Sequence, residues 1–229
     1  MKCIILAGGK GTRISEISKD IPKPMIKILG KPIIYRIMEH YSNYGFRDFI
    51  IAAGYKKKII SNFFKKKKIK NWNVKVIDTG LNTMTGGRLK RLKKYINEEN
   101  FMMTYGDGLS NVNLKKLVNH HIKHKKYATL TAVRPPARFG AIKLNNNRVN
   151  YFKEKSKLDE GWINGGFFVF NKKIFDFVKS DKTYLEREPL QKISKNNQLY
   201  AFKHEGFWQC MDTLRDKEIL EKKIKKNVL

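Results

Sequence analysis

Short apolar runs rich in β-branched residues alternate with helical patterns through the first half of this chain. That alternation limits the fold more than any other feature. The runs Lys2 to Ala7, Asp48 to Ala53, Val74 to Asp78, Phe101 to Tyr105 and Ala128 to Val133 have strand length. Between them, Ile33 to Tyr44, Lys57 to Phe64, Gly87 to Ile96 and Leu114 to Lys125 carry apolar residues at helical spacing, as in Leu114, Leu117, Val118 and Ile122. Strand and helix in strict alternation build βαβ units, so the expected core is a parallel sheet in a three-layer, doubly wound α/β sandwich.

The pattern changes after Arg134-Pro135-Pro136. Alternating segments at Ala141 to Leu144 and Val149 to Lys153 flank Asn145-Asn146-Asn147 and predict a hairpin. A fully apolar strand at Gly166 to Phe170 follows, then helices near Ile174 to Lys179 and Leu190 to Lys195, a strand at Leu199 to Lys203, and a polar helix from about Thr213. No linker or internal repeat interrupts these parts. The expectation is therefore one α/β domain over residues 1–229, with a first half ending at 134 and a mixed section from 135 folded against it.

Composition narrows the setting. With 41% hydrophobic residues and only 16 Gly and 6 Pro in 229, the chain can bury a core and is not a disordered polymer. Cys3 and Cys210 cannot form a disulfide framework, which fits a reducing cytoplasm. No stretch approaches the roughly 20 apolar residues of a membrane span, and the first apolar run is too short for a signal peptide, so a soluble protein without a membrane partner is expected. The net charge of +29 would suit a nucleic-acid surface, but the 39 Lys and 10 Arg are spread through every segment. Scattered lysines point to solvated faces and not to a nucleic-acid groove. A small polyanion such as a nucleotide would still be attracted.

Directly after the first strand comes Gly8-Gly9-Lys10-Gly11-Thr12-Arg13, where small residues let backbone N–H groups approach an anion. It is not the dinucleotide fingerprint, since the third glycine would fall on Ile14, and it lacks the Gly-Lys-Ser/Thr of a Walker loop. Arg13 adds a planar fork for a phosphate. Pro22-Lys23-Pro24 holds a second cation in a stiff, extended segment.

The string Leu6-Ala7-Gly8-Gly9-Lys10-Gly11-Thr12-Arg13, followed by Pro22-Lys23-Pro24-Met25, resembles the signature of the sugar-1-phosphate nucleotidyltransferase family. Within it, Asp78-Thr79-Gly80, Asn82 to Arg91, Thr104-Tyr105-Gly106-Asp107-Gly108, Gly161 to Phe168, and His204 to Gln209 with Met211-Asp212-Thr213 are similar to the glucose-1-phosphate cytidylyltransferases. The resemblance implies a Rossmann-like, GT-A-like three-layer fold with a mixed sheet, and a C-terminal part that binds sugar. It further implies transfer of a cytidylyl group from CTP to α-D-glucose 1-phosphate with Mg²⁺, releasing pyrophosphate. Another sugar 1-phosphate, another phosphorylated acceptor or another nucleoside triphosphate stays open. The attacking phosphate is already an anion near neutral pH, its second pKa being about 6, so the chemistry needs charge neutralisation and in-line positioning but no general base.

The same resemblance assigns residues. Arg13, Lys23, Asp107 and Asp212 are the catalytic set, with Asp107 and Asp212 as metal ligands. Leu6, Ala7, Gly8, Gly9, Lys10, Gly11, Thr12, Arg13, Lys23, Thr83, Thr85, Gly86, Arg88, Gly106 and Asp107 would hold the nucleotide. Thr83 to Arg88 stands where relatives using thymidine or uridine triphosphate carry a Gly-Leu-Ala-Gln type segment, and it resembles the cytidine version. Gly140, Glu154, Lys155, Asn164 and Gly165 would line the sugar pocket, although Ser156 replaces the proline expected after Lys155. Each has a plainer reading on its own: Asp107 in a tight turn, Asp212 as a helix cap, Arg88 as an exposed helix residue, Lys155 as a surface charge. Trp162 and Trp208 would stack on sugar or base, or belong to the core. His120, His121 and His124 lack the accompanying carboxylate of a metal motif. The segment 57–71 is shorter than in relatives, which leaves the state of an expected homo-oligomer open.

Overall fold

The computed structural model describes residues 1–14, 19–67, 69–135, 141–153 and 161–226. Its strands are β1 (Cys3–Ala7), β2 (Lys27–Ile28), β3 (Lys31–Pro32), β4 (Asp48–Ala53), β5 (Asn73–Asp78), β6 (Asn100–Tyr105), β7 (Gly108–Ser110), β8 (Ala128–Val133), β9 (Ala141–Asn145), β10 (Arg148–Lys153), β11 (Ile163–Asn171), β12 (Leu199–His204) and β13 (Trp208–Cys210). Its α-helices are α1 (Ile33–Asn43), α2 (Lys57–Lys66), α3 (Thr85–Arg91), α4 (Leu114–His124), α5 (Glu188–Lys195) and α6 (Leu214–Lys225). Among the described residues seven strands form the main sheet in the order β12-β8-β11-β6-β1-β4-β5. β6, β1, β4 and β5 run parallel, as the βαβ alternation requires, while β11 is antiparallel to both β6 and β8. The sheet is mixed, as expected.

Strand alternation divides the core into two layers. Cys3, Ile5 and Ala7 of β1 join Phe49, Ile51 and Ala53 of β4 beneath α1, α2, α4 and α6. Ile4 and Leu6 join Ile50, Ala52 and Leu89 on the other face, with Ile174, Leu190 and Ile193. A central strand buried on both sides has no polar face, which is why β1 and β4 read as continuous apolar runs. Fully burying one such side chain is worth roughly 1.5–3 kcal/mol. Among the described residues no helix is long and apolar enough to cross a membrane.

Two helices differ from the sequence reading. The segment expected at Gly87 to Ile96 begins at Thr85, ends at Arg91 and is followed by a separate 3-10 turn, Lys93–Tyr95. That expected at Ile174 to Lys179 is a 3-10 helix, Lys172–Phe177, capped by the Asn171 side chain, with Ile174 and Phe175 buried and Phe175 stacked on Phe101. The tighter turn lets a short connection drop both side chains into the core. Two- and three-residue ladders, β2 with β3 and β7 with β13, are too short for any alternation to reveal. The second of these matters most, because antiparallel pairing of Cys210 with Gly108 brings the chain after β13 back to the end of β6.

Candidate active site

The carboxyl ends of β1 and β6 open into a cavity of about 630 Å³, where ligands bind in open α/β sheets. Residues Leu6 to Gly9 run out of β1 along its wall, and Gly11 turns the loop with φ +68° before the 3-10 turn Thr12–Ile14. Gly106 and Asp107 continue from β6 on the adjacent wall. Gly106 N–H donates to the Leu6 carbonyl, so the two strand ends are tied at the cavity floor.

Four charged side chains from distant segments meet there. Lys23 sits in a 3-10 turn between Pro22 and Pro24, and its side chain is only 9% exposed. Its Nζ donates to Asp107 Oδ2 at 2.6 Å and to Asp212 Oδ1 at 2.7 Å. Arg13 Nη1 donates to the other oxygen of Asp212 at 2.6 Å. Burial opposes the Lys23 charge, but Asp107 and Asp212 outweigh it and raise the lysine pKa. Burial likewise opposes the charge on Asp212, and Lys23 with Arg13 more than offsets it, holding that carboxyl below the usual range. Burial, then Asp212, Asp107 and Asp216, push the neighbouring Cys210 thiol up to about 12, which keeps it protonated near neutral pH.

Asp212 is not the cap of the last helix. Thr213 caps α6, with Asp216 returning the bond in a capping box, and Asp216 Oδ2 also takes the N–H of Asp212. Helix and ladder together fix the Asp212 backbone: Met211 N–H donates to the Asp107 carbonyl at 2.9 Å.

Arg88 is held quite differently. It is only 5% exposed, and its guanidinium donates to the Gly8 carbonyl at 2.9 Å, the Gly80 carbonyl at 2.7 Å and Thr79 Oγ1 at 2.8 Å, with longer contacts to Ala53 and Leu81. It therefore knots the ends of β1, β4 and β5 together beneath the cavity. Glycine leaves room for it: a Cβ at Gly8 would lie 2.1 Å from Arg88 Nη1, and one at Gly54 2.5 Å from it.

Residues 2–216 match the family described as Nucleotidyl transferase. The chain belongs to that family. It is 46% identical to a glucose-1-phosphate cytidylyltransferase of Salmonella typhimurium over 243 residues, covering 96% of this chain and 95% of that protein. It is 39% identical to a probable glucose-1-phosphate cytidylyltransferase of Bacillus subtilis, covering 94% and 93%. Among solved structures it is similar to HddC from Yersinia pseudotuberculosis, with a TM-score of 0.78, 30% identity and 97% and 99% of the two chains covered. The protein is thus a nucleotidyltransferase enzyme with the family's mixed-sheet fold.

The nucleotidyltransferase cavity gathers many of the residues singled out from the sequence. Leu6, Ala7, Gly8, Gly9, Gly11, Thr12, Arg13, Lys23, Thr83, Thr85, Arg88, Gly106, Asp107, Asn164 and Asp212 all line it. Lys10 is exposed beside the loop and is not on the wall. Gly86 faces away, toward the Thr183 carbonyl, and Gly165 packs on Val133 while its carbonyl accepts from Trp208 Nε1. Gly140, Glu154 and Lys155 lie outside the described residues. Trp208 lines the cavity, whereas Trp162 lies against Arg134 and Lys203.

Tyr105, Tyr184 and Glu186 line it too, and sequence reasoning missed them. Glu186 stands in the run Leu185-Glu186-Arg187-Glu188, which reads as the charged start of a surface helix. Only tertiary folding turns it inward: Gly86 and Gly87 N–H groups donate to the Thr183 carbonyl and Leu185 N–H to Thr85 Oγ1, strapping this segment onto α3.

Proposed function

We propose that the cavity transfers a cytidylyl group from CTP to α-D-glucose 1-phosphate, giving CDP-glucose and pyrophosphate, with Mg²⁺ as the metal. The arrangement that carries this reading is the pair Asp107 and Asp212 converging on one ammonium beside a glycine-rich loop. Its support from relatives is the name of the 46% identical Salmonella protein.

The donor set fits a hard divalent cation. Among the described residues no group of three or more His, Cys, Asp or Glu could hold a metal, so the protein offers two carboxylates and leaves the remaining positions to phosphate oxygens and water. That is the division of ligands Mg²⁺ prefers at phosphoryl-transfer sites. Asp107 and Asp212 would hold it, and when bound it supplies charge neutralisation of the reacting phosphates.

The protein's own groups do the rest. The glycine-rich turn at Gly8, Gly9, Gly11 and Thr12 lines the cavity where the triphosphate would lie, and Arg13, whose side chain is 74% exposed, would swing onto it. Lys23, firmly protonated, spans the position between the carboxylates and screens the negative charge gathered there. Arg88 positions the Gly8 loop relative to the Thr79–Leu81 turn, so the spacing between the phosphate end and Thr83 is set before a ligand arrives. No side chain need act as a base, because the attacking sugar phosphate oxygen is already ionised.

The test is pyrophosphate release with Mg²⁺ and glucose 1-phosphate, comparing CTP with UTP, dTTP, ATP and GTP, with Asp107→Asn as control. Turnover with CTP that collapses in the variant is expected. Turnover with GTP instead would align the protein with HddC, which has been solved with GMP-PN, and would overturn the assignment of residues 83–88 to cytosine.

A further inference from the structure

Among the described residues three carboxylates line the cavity, and they are held in two ways. Asp107 and Asp212 are paired to cations. Glu186 accepts from hydroxyls: Tyr105 Oη at 2.5 Å on Oε1 and Thr85 Oγ1 at 2.6 Å on Oε2. The Thr85 hydroxyl already accepts from Leu185 N–H, so its own proton points to Glu186. Asn164 in turn bonds the Tyr105 side chain, and its Oδ1 accepts from Gly166 N–H. The adjacent cation, Arg187, stacks on the Tyr184 ring at 4.4 Å. Glu186 is thus a carboxylate aimed by neutral donors on a solvent-open wall.

A cavity that takes a triphosphate and a sugar phosphate is a costly place for another anion, unless that anion faces the uncharged part of a ligand. A carboxylate accepts hydrogen bonds and donates none, so what it faces must carry donors. The sheet order says which part that is. Arg88 knots the β1, β4 and β5 side, where Thr83 and the Thr79–Leu81 turn lie, whereas Tyr105 and Asn164 stand on the β6 and β11 side. Glu186 spans the two, with Oε2 on Thr85 of α3 and Oε1 turned to Tyr105 over the latter side.

We propose that Glu186 is a specificity-determining acceptor for ring hydroxyls of the sugar phosphate, aimed by Tyr105 and Thr85. The proposal rests on the cytidylyl-transfer reading above and adds the residue that reads the sugar. Its two lone-pair directions not used by Tyr105 and Thr85 suit a hydroxyl pair on a pyranose ring. A bound sugar lacking the matching hydroxyl would take this carboxylate out of water without giving it a donor, which is how a hydrogen-bonding site rejects such an analogue.

The experiment is steady-state kinetics of the wild type, Glu186→Gln, Glu186→Ala and Tyr105→Phe with glucose 1-phosphate and its 3-, 4- and 6-deoxy analogues, beside calorimetric binding of CTP. Glu186→Ala should lose roughly 10- to 100-fold in kcat/KM with glucose 1-phosphate. The loss should shrink markedly on one deoxy analogue, and CTP affinity should stay within about twofold. Tyr105→Phe should fall between. Equal losses on every analogue would reduce Glu186 to a structural group, and a change in CTP affinity with unchanged sugar discrimination would move it to the base. If the wild type turns over only another sugar 1-phosphate, the function proposed above falls, and the same comparison on that sugar's deoxy analogues decides Glu186.

Discussion

Lys23 and Arg88 are both buried cations on the wall of one cavity, yet their partners are of opposite kinds. Lys23 is held by two carboxylates, whereas Arg88 is held by backbone carbonyls and a threonine hydroxyl. Carboxylates carry charge of their own, so on the proposed reaction they would exchange an ammonium for a metal ion while the lysine moved to a phosphate. Carbonyls are neutral dipoles, and a guanidinium taken from them leaves unsatisfied buried oxygens and gains nothing in return. On the function proposed above, one cation belongs to the reaction and the other to the scaffold that aims it.

The sharpest way to break this division is to remove a carboxylate. Asp107→Asn should lower kcat by about 10²–10³-fold, the usual cost of one preorganised electrostatic group, with little change in fold, measured as pyrophosphate release. If Asp107→Asn turned over like the wild type, the exchangeable half of the comparison would be wrong.

Removing the guanidinium should act in the other currency. Arg88→Ala strands the carbonyls of Gly8 and Gly80, so urea unfolding should show a loss of about 3 kcal/mol or more. Arg13→Ala, with a side chain 74% exposed, should change stability by less than about 1 kcal/mol while still reducing turnover. Equal stability losses in the two variants would contradict the distinction.

How far the sequence anticipates each half follows from the same physics. The loop after β1 and the Asp107 turn after β6 are legible because each strand is a short apolar run with its functional residues at its carboxyl end. Asp212 is legible only through resemblance, since a three-residue ladder from β13 to β7 delivers it. Arg88 is harder still. Its helical surroundings suggest an exposed side chain or a base contact, and its burial depends on the room left at Gly8 and Gly54 and on the Gly80 carbonyl, brought together from three separate loops. No local period records such a convergence. Glu186 is hidden for the same reason, its inward turn being set by backbone bonds from α3 to the Thr183–Leu185 strap.

Acid separates the two halves again. His40 and His121 are lowered to about 4, chiefly by burial, so below their ordinary value near 6.5 the unfolded chain binds protons that the folded chain refuses. Stability should fall as pH drops from about 6.5 to 4, by up to about 1.4 kcal/mol per pH unit for each group, and level off below. Asp212 also loses stability in acid, but over a lower window. Its depressed pKa contributes stability above the unfolded value near 3.9 that is lost only as pH falls through the lower folded value. Urea midpoints at pH 7, 5 and 3 test this order, and His121→Asn should flatten the first limb only. The Arg88 knot should not titrate in this range.

Gly8→Ala probes the scaffold more gently. The new Cβ would stand 2.1 Å from Arg88 Nη1, so the guanidinium must shift, at about 1–3 kcal/mol in stability. A rise in the KM for nucleotide without a matching fall in kcat would show that Arg88 aims the loop and takes no part in the chemistry.

The smallest effect bears most directly on exchange. With its ammonium 2.6 Å from Asp107 and 2.7 Å from Asp212, Lys23 occupies the region in which a cation would bridge them. Free enzyme should therefore bind Mn²⁺ weakly, because each metal ion that enters must displace a buried, paired lysine. CTP should tighten that binding by giving the lysine phosphate oxygens as new partners. Lys23→Met keeps the side chain's bulk but not its charge, so in the absence of nucleotide it should bind Mn²⁺ on the order of tenfold more tightly than the wild type, read by electron paramagnetic resonance of the free ion. The gain should vanish in Lys23→Met/Asp107→Asn, since the lysine can only compete where the carboxylates attract. Equal Mn²⁺ affinity in wild type and Lys23→Met would mean that the two cations never share a place, and Lys23 would then belong with Arg88 among the fixed supports.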